Sequence, residues 1–201
     1  MYYDFIEIGT SCFDTLIEKC SDENVGISIE PIKYYYDKLP NKKNVIKLNK
    51  GISDKNGFFK FYYVPTEILN CKGLPHWLSG CNSINKPHPS LIEECIERHI
   101  DHERIVCCIE VETITVETLI ETYNVSYIDF LKIDTEGHDI IIIDQFIKLI
   151  NNFDLKVNKI EFETNSLSSI DDQQAAIDKL IFLGYELLKS GGESFLQLKK
   201  Q

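Results

Sequence analysis

The sequence predicts an α/β fold with a mostly parallel sheet, an antiparallel edge hairpin and an irregular insert. Strand patterns alternate with helical patterns in both halves of the chain, which is typical of a parallel sheet with helices on both faces. The stretch "YIDFLKI" at residues 127–133 has few polar interruptions, as in a central parallel strand. Two short extended segments around Gly191-Gly192 predict the antiparallel hairpin.

The first half of the chain contains three predicted strands, at residues 2–9, 25–30 and 44–49. The spacing of Ser11 and Asp14 predicts a capping box for the helix after the first strand. One face of this helix is expected to consist of Phe13, Leu16, Ile17 and Cys20. Pro31 is expected to open a short helix after the second strand.

A turn and an irregular insert separate the two halves. Asn56-Gly57 predicts a turn before an aromatic strand at residues 58–64. Residues 65–104 are rich in proline and glycine, and an irregular stretch of this length inside one domain predicts a functional loop or lid. Within the insert, Ser90 and Glu93 are expected to cap a helix whose face is formed by Ile92, Cys95, Ile96 and His99. Residues 105–114 return to an extended pattern.

The second half resumes the alternation. Thr115 is expected to cap a helix that has on one face Val116, Leu119, Ile120 and Tyr123. A strand is predicted at residues 127–133, a buried helix at residues 137–150 and another strand at residues 156–164. Ser169 and Asp172 are expected to cap the last helix, and Gly184 is expected to end it.

The composition predicts one soluble domain over residues 1–201. The formal net charge of −11 and the sequence pI of about 4.9 argue against broad contacts with nucleic acid or an anionic membrane. The longest purely aliphatic run is residues 140–143, so that no membrane span is expected. Seven cysteines without a Cys-x-x-Cys pair are expected to be free thiols, which favours a cytoplasmic location. The oligomeric state is left open.

The candidate site residues follow the ends of the predicted strands. Ligands of an open α/β sheet bind beyond the carboxyl ends of the strands, near the point where the strand order reverses. The residues at these positions are Glu7, Gly9, Thr10, Ser11, Glu30, Pro31, Gly51, Ile52, Asp134, Glu136, His138 and Glu163.

The loop after the first strand does not favour a phosphate ligand. Dinucleotide-binding folds have Gly-x-Gly-x-x-Gly here, and this chain has only Gly9. Glu30 lies 21 residues after Gly9, where an acid accepts hydrogen bonds from the ribose hydroxyls. An adenosine that carries a sulfonium and an amino group suits this acidic rim, which predicts S-adenosylmethionine as the cofactor. Its predicted contacts are Glu7, Gly9, Thr10, Ser11, Glu30, Pro31, Gly51, Ile52 and Asp134.

Four segments resemble the FkbM family of S-adenosylmethionine-dependent methyltransferases. They are "DFIEIGTS", "NKGISDKNGFFKFYYV", "VETITVETLIETYNVSYID" and "YIDFLKIDTEGHDIIIIDQF", of which the last is the most specific. The resemblance implies a class I methyltransferase fold, a Rossmann-like sandwich around a mostly parallel seven-stranded sheet with a reversed edge hairpin. It also implies methyl transfer to oxygen, on a sugar or a small natural product.

Methyl transfer to a hydroxyl group requires a base that removes one proton. Asp134 and His138 are the first candidates for this base, and Glu136 is a third. His138 suits the role because imidazole titrates near neutral pH. Other roles stay open for all three. The two acids are also suited to bind backbone amides at the start of the next helix, and His138 to be an exposed residue of its first turn.

The acceptor is predicted to be a small molecule or a glycan bound by Trp77, Asn82, Ser83 and Glu163, with His88 as a further candidate. Alternatively, the insert is a surface element packed by Trp77. No metal site is predicted, since the spacing of the histidines matches no ligand pattern. Two other functions stay open: a non-catalytic binding module on the same fold, and an NAD-dependent oxidoreductase, against which the missing glycines argue.

Overall fold

The computed structural model of the chain describes residues 1–11, 15–152 and 154–199. The strands in these ranges are β1 (Tyr2–Ile8), β2 (Gly26–Ile29), β3 (Val45–Leu48), β4 (Gly51–Ile52), β5 (Gly57–Tyr63), β6 (Ser83–Ile84), β7 (Cys107–Ile114), β8 (Tyr127–Ile133), β9 (Lys156–Thr164), β10 (Tyr185–Lys189) and β11 (Gly192–Leu198). The α-helices are α1 (Leu16–Lys19), α2 (Lys33–Tyr36), α3 (Thr66–Cys71), α4 (Pro89–Glu97), α5 (Val116–Thr122), α6 (Asp139–Asn151) and α7 (Ile170–Phe182).

The larger sheet has the strand order β10-β11-β9-β8-β1-β2-β3. The pairs from β9 through β3 are parallel, and β11 is antiparallel to both β9 and β10. The mixed α/β architecture with a large, mostly parallel sheet is therefore confirmed. Since β1 lies between β2 and β8, the strand order reverses between β1 and β8, and a ligand site is expected at this point.

The core of the chain lies on the faces of this sheet. Ile6, Ile128, Leu131 and Ile160 of the central strands are fully buried, as expected for parallel strands covered on both faces. Helix α6 packs Ile142, Ile143 and Phe146 into the same core. The isoleucine run at the start of α6 thus forms the predicted buried helix, which begins at Asp139, two residues after the predicted start.

A second, four-stranded sheet has the order β4-β7-β5-β6. The predicted strands at 58–64 and 105–114 meet here as the antiparallel pair β5 and β7. The segment between them contains α3 and α4 and has an apolar cluster of its own, which includes Leu69, Leu78, Leu91 and Cys95. The insert is therefore a packed element with its own small core.

The predicted start of α1 is wrong. Thr15 caps the helix: its Oγ1 accepts a hydrogen bond from the Glu18 N–H at 3.2 Å, and the Glu18 carboxylate accepts one from the Thr15 N–H. Ser11 lies outside the helix in a left-handed conformation (φ 49°), and its hydroxyl donates to the Ser79 carbonyl at 2.7 Å. The predicted positions of Phe13 and Asp14 lie outside the described residues.

The predicted cap of α4 is wrong, and Cys95 is the one buried residue of its predicted face. His88, and not Ser90, caps the helix, because His88 Nδ1 accepts a hydrogen bond from the Ser90 N–H. The buried residues are Leu91 and Cys95, whereas Ile96 is 65% exposed. The helix packs on the apolar cluster of the insert, which lies on the Leu91 side.

Two further expectations concern the membrane and the cysteines. In the described ranges, no helix is long and apolar enough to cross a bilayer. The cysteines that the structure describes are free thiols, as predicted.

Candidate active site

A cavity of about 290 Å³ lies where the strand order reverses, at the carboxyl ends of β1, β2 and β8. The predicted site residues that line it are Gly9, Thr10, Ser11, Glu30, Pro31, Gly51, Ile52, Trp77, Asn82, Asp134, Glu136, His138 and Glu163. Glu7, Ser83 and His88 do not line it. The Glu7 carboxylate accepts a hydrogen bond from the Leu16 N–H at 2.7 Å and so orders the start of α1, and the Ser83 hydroxyl donates to the Lys86 carbonyl.

Gly9 brings the loop after β1 into direct contact with the loop after β8. Its backbone is in the left-handed region (φ 82°), and a Cβ atom at this position would lie 1.8 Å from the Asp134 carbonyl oxygen. No other residue fits this position without moving the backbone. The tight contact places both loops on one edge of the cavity.

Glu30 holds the loop after β1 in place. Its Oε2 accepts hydrogen bonds from the Thr10 N–H (3.2 Å), the Thr10 hydroxyl (3.0 Å) and the Ser11 N–H (2.7 Å). Its Oε1 accepts one from the Ile32 N–H (2.8 Å). The side chain is 2% exposed, and burial raises the pKa of Glu30 to about 7 although all four donors oppose the shift. This acid therefore organises the loop as well as the cavity wall.

The loop after β8 is held together by Asp139, whose role the sequence analysis missed. Its Oδ1 accepts from the N–H groups of Thr135 and Glu163, and its Oδ2 accepts from the Gly137 N–H and the Thr135 hydroxyl, at 3.0–3.4 Å. Burial raises the pKa of Asp139 to about 7, and Asp134 adds to the shift. The amide-binding role that was open for the two preceding acids thus belongs to Asp139, which leaves both at the cavity.

Asp134 and Glu136 each have a cationic or N–H partner. Lys132 Nζ lies 3.5 Å from Asp134 Oδ2; burial raises the pKa of Asp134, and Lys132 opposes this shift. Glu136, in a left-handed conformation (φ 51°), has its Oε2 3.1 Å from His88 Nε2. Because His88 Nδ1 accepts from the Ser90 N–H, its proton is on Nε2, and it donates to Glu136. A histidine of the insert thereby orients a carboxylate of the sheet edge.

His138 lies at the end of a chain of hydrogen bonds. The Ser53 hydroxyl lies 3.2 Å from Asp54 Oδ1 and 3.0 Å from His138 Nε2. Its single proton goes to the carboxylate, which has none to donate, so His138 Nε2 donates to Ser53 Oγ. His138 Nδ1 is then unprotonated. Burial lowers the pKa of His138, with Asp54 opposing, so that the neutral ring is favoured and can accept a proton.

Several lining residues were not predicted, namely Ile8, Ile29, Lys50, Phe61, Gly80, Cys81, Ile84, Lys132, Thr135 and Glu193. Lys132, Thr135 and Cys81 lie within two positions of predicted residues in the sequence, and they could have been predicted from that proximity. Glu193 belongs to the edge hairpin, which is remote in sequence from the other site residues, and no local pattern marks it.

Cys81, His88 and Glu136 have metal-ligand atoms within 4.8 Å of one another, but their hydrogen bonds do not suit a metal ion. A histidine ligand usually donates its other ring N–H, whereas His88 Nδ1 accepts one. Burial raises the pKa of Cys81 to about 12, which keeps the thiol protonated, and a metal ligand has to be the thiolate. In this geometry Cys81 lies beside the hydrogen-bonded pair of His88 and Glu136.

The mixed α/β fold agrees with the comparison to known families. The family model of the methyltransferase FkbM domain matches residues 5–187, which is most of the chain. No curated protein and no solved structure gives a significant match. The matched span contains every residue that lines the cavity except Glu193. The chain belongs to the FkbM methyltransferase family.

Proposed function

We propose that this methyltransferase uses S-adenosylmethionine and methylates a hydroxyl group of a sugar or of another small hydroxylated molecule. We assign it the class I Rossmann-like fold in a single domain over residues 1–201, with residues 65–104 as a lid. The position of Glu30 carries the proposal. It follows β2 at the wall of the cavity, beside the Gly9 loop, where an acid binds the ribose of a nucleoside.

The residues around Glu30 fit a nucleoside without phosphate. Glu30 Oε1 accepts a single hydrogen bond, from the Ile32 N–H, so this oxygen keeps an acceptor position for a ribose hydroxyl. Ile29, Ile52 and Phe61 supply apolar surface for a base on the same side of the cavity. The fit supports an adenosine cofactor.

When bound, S-adenosylmethionine supplies an electrophilic methyl group, whose carbon–sulfur bond breaks as the bond to the acceptor oxygen forms. The chain has to align the hydroxyl group, exclude water and take up the hydroxyl proton. We assign the proton to Nδ1 of His138, because Ser53 holds the ring by its other nitrogen. The resulting imidazolium is stabilised by the nearby charge of Asp54. Asp134 and Glu136 are assigned to orient the acceptor hydroxyl.

The insert is suited to close the site. Trp77 and Asn82 line the cavity from the insert, and the hydroxyl of Ser11 binds the Ser79 carbonyl of the same element. The loop after β1 and the insert are thus joined by a direct hydrogen bond. Ordering of one by a ligand is expected to order the other, which would exclude water from the reacting atoms.

Calorimetric titration of the purified chain with S-adenosylmethionine, S-adenosylhomocysteine and NAD tests the proposal. We expect the first two ligands to bind with a Kd on the order of 1 μM and NAD not to bind. Release of S-adenosylhomocysteine with a panel of monosaccharides then measures transfer. His138→Gln should keep cofactor affinity and lose about 100-fold in transfer rate, whereas His99→Gln on the exposed surface should lose neither. Absence of binding at about 1 mM S-adenosylmethionine would refute the proposal.

One observation favours a second candidate, a non-catalytic binding module. Glu30 already accepts four hydrogen bonds from its own chain, so that a ribose meets a carboxylate that is largely satisfied. Binding of S-adenosylhomocysteine without transfer to any acceptor in the panel would support this candidate. Detectable transfer that is lost in His138→Gln would exclude it.

A further inference from the structure

The charges of the cavity wall differ on the two sides of the point where the strand order reverses. On the side of β1, β2 and β3, the lining carboxylate is Glu30, which accepts four hydrogen bonds from its own chain, and Lys50 lines the cavity as well. On the side of β8, β9 and β11, the lining carboxylates are Asp134, Glu136, Glu163 and Glu193, and the one lining lysine of the described residues is Lys132. The acceptor side is therefore strongly acidic.

Among the described residues, Glu163 is the lining carboxylate of this side that lies within ion-pair distance of neither a lysine nor a histidine. Asp134 has Lys132, Glu136 has His88, and Glu193 has Lys189 at 2.9 Å. Glu163 Oε2 is buried and, among the described residues, has no hydrogen-bond partner. A buried acceptor without a donor is costly, and each such group needs an explanation.

The neighbouring carboxylates make an unpaired negative charge on Glu163 still less favourable. Burial raises the pKa of Glu163 to about 9; Glu136, Asp139 and Asp134 add to the shift, and Asn165 opposes it through a hydrogen bond. Carboxylate oxygens of Asp134, Glu136 and Glu163 lie within 4.8 Å of one another. A proton on Glu163 relieves the repulsion in the free chain, and a bound cation would do so in its place.

A second lining residue presents an unpartnered acceptor. Asn82 Nδ2 donates to the Ser79 carbonyl at 2.9 Å, which fixes the orientation of the amide. Asn82 Oδ1 is buried and has no partner among the described residues. Trp77, also in the insert, lines the cavity while 49% exposed, and an indole face attracts cations. The wall thus offers two unpartnered acceptors and an aromatic ring.

We propose that the methyl acceptor is a hydroxylated amine in its protonated form, such as an amino sugar or an amino alcohol, whose ammonium group binds to Glu163 with Asn82 and Trp77 nearby. This inference rests on the proposed function, since it names the acceptor class of the same cavity. An ammonium nitrogen has no lone pair. Binding to the acidic wall therefore protects the nitrogen from methylation and leaves the hydroxyl oxygen as the nucleophile.

The test uses calorimetric titration of the whole chain saturated with S-adenosylhomocysteine. The probes are matched pairs: glucosamine and glucose, galactosamine and galactose, and 1-amino-2-propanol and 1,2-propanediol. In at least one pair the amine is expected to bind about tenfold tighter than its neutral partner. Repeating the titration at pH 6.5, where the amines of all three probes and Glu163 are protonated before binding, in two buffers with different ionisation enthalpies should show release of a proton on amine binding, because Glu163 gives up its proton.

Two variants make the test specific. Glu163→Gln is expected to lose about tenfold in amine affinity and to abolish proton release, with the affinity for S-adenosylhomocysteine unchanged. Glu186→Gln, an exposed glutamate on the edge strand β10, is the matched control and should change neither.

Three results would overturn the inference: equal or tighter binding of the neutral partner in every pair, no binding of any amine, or amine binding that Glu163→Gln leaves intact. Mg²⁺ and Mn²⁺ are titrated alone as a further arm, and binding of a metal ion without binding of amines would assign the acidic wall to a metal. Failure of the chain to bind S-adenosylhomocysteine would instead refute the proposed function, so the two failures are distinguishable.

Discussion

The substitution Glu30→Gln separates the two roles of this acid, which organises the loop after β1 and lines the cofactor side of the cavity. Gln has the same shape but only one acceptor oxygen. If that oxygen faces Thr10 and Ser11, the amide nitrogen faces the Ile32 N–H, and a buried donor loses its partner. The cost of such an unsatisfied group is about 1–3 kcal/mol.

The effect on stability is expected to depend on pH. The pKa of Glu30 is about 7 in the folded chain and 4.5 as its ordinary value, so the folded state favours the protonated form. The stabilisation from this proton is fully present below pH 4.5 and is lost as the pH rises through 7. At 1.36 kcal/mol per pKa unit, the loss is about 3 kcal/mol, and Gln does not undergo it.

Glu30→Gln should therefore be less stable than the wild type by about 1–3 kcal/mol at pH 5 and equally or more stable at pH 8. Thermal unfolding at both pH values measures this, with about 2–4 °C in Tm for each kcal/mol. The shifts from Asp139 and Glu163 occur in both proteins and cancel in the difference. Affinity for S-adenosylmethionine should fall about tenfold, through the lost carboxylate acceptor.

A gap between wild type and variant that is the same at pH 5 and at pH 8 would refute the reasoning, since it would mean that burial does not perturb Glu30. The exposed variant Glu186→Gln should show no gap at either pH. An unchanged affinity for S-adenosylmethionine, with the pH effect present, would restrict Glu30 to organising the loop.

Three further substitutions test the neighbouring contacts. Gly9→Ala should lower the free energy of unfolding by about 2–5 kcal/mol, measured by denaturant titration, because its Cβ would overlap the Asp134 carbonyl and its φ is positive; a stable variant would contradict this contact. Ser53→Ala should reduce kcat about tenfold and leave the KM for S-adenosylmethionine unchanged, because His138 loses the hydroxyl that orients its ring; an unchanged kcat would remove His138 as the base. Ser11→Ala should cost about 1 kcal/mol of stability in thermal unfolding and weaken calorimetric cofactor binding, and equal binding would show that the loop and the insert act independently.

The strands of the larger sheet could be predicted from the sequence because their signal is local. The bounds predicted for β8 and β9 match the structure, since apolar residues fill both segments between polar turns. The pairing of β5 with β7 was not predicted, because 43 residues separate Tyr63 from Cys107 and no local pattern encodes the partner of a strand. This long-range pairing depends on how the insert packs. In the sequence, the insert is visible only as a stretch in which proline and glycine interrupt the pattern of strands and helices.

The start of α1 shows a different limit. Ser11–Asp14 and Thr15–Glu18 are both capping-box patterns in the sequence. The Ser11 hydroxyl bonds to Ser79, 68 residues away, and this contact holds Ser11 outside the helix. The two sequence patterns predict a helix start equally well, and a tertiary hydrogen bond determines which of them caps α1. That hydrogen bond cannot be predicted from the local sequence.

Most of the candidate site could be predicted because the ends of parallel strands converge at one edge of the sheet. Gly9 and Glu30 follow from strand order alone. The tautomer of His88 and the partner of Asp139 could not be predicted, since both depend on the packing of separate elements against the loop after β8. The positions of the acids could therefore be predicted from the sequence, whereas their hydrogen-bond partners are known only from the structure.

The partners explain why three acids and a histidine follow one apolar strand. Burying a carboxylate is costly unless hydrogen bonds or a cation compensate for the lost water. Asp139 receives three donors from its own loop and a fourth from the Glu163 N–H on β9, Asp134 receives Lys132, and Glu136 receives His88. These acids are satisfied before any ligand binds. Among the described residues of this wall, Glu163, on the neighbouring strand β9, is the acid that still lacks a lysine or histidine partner. We therefore expect the charged group of the acceptor to bind at Glu163 and not at the loop after β8.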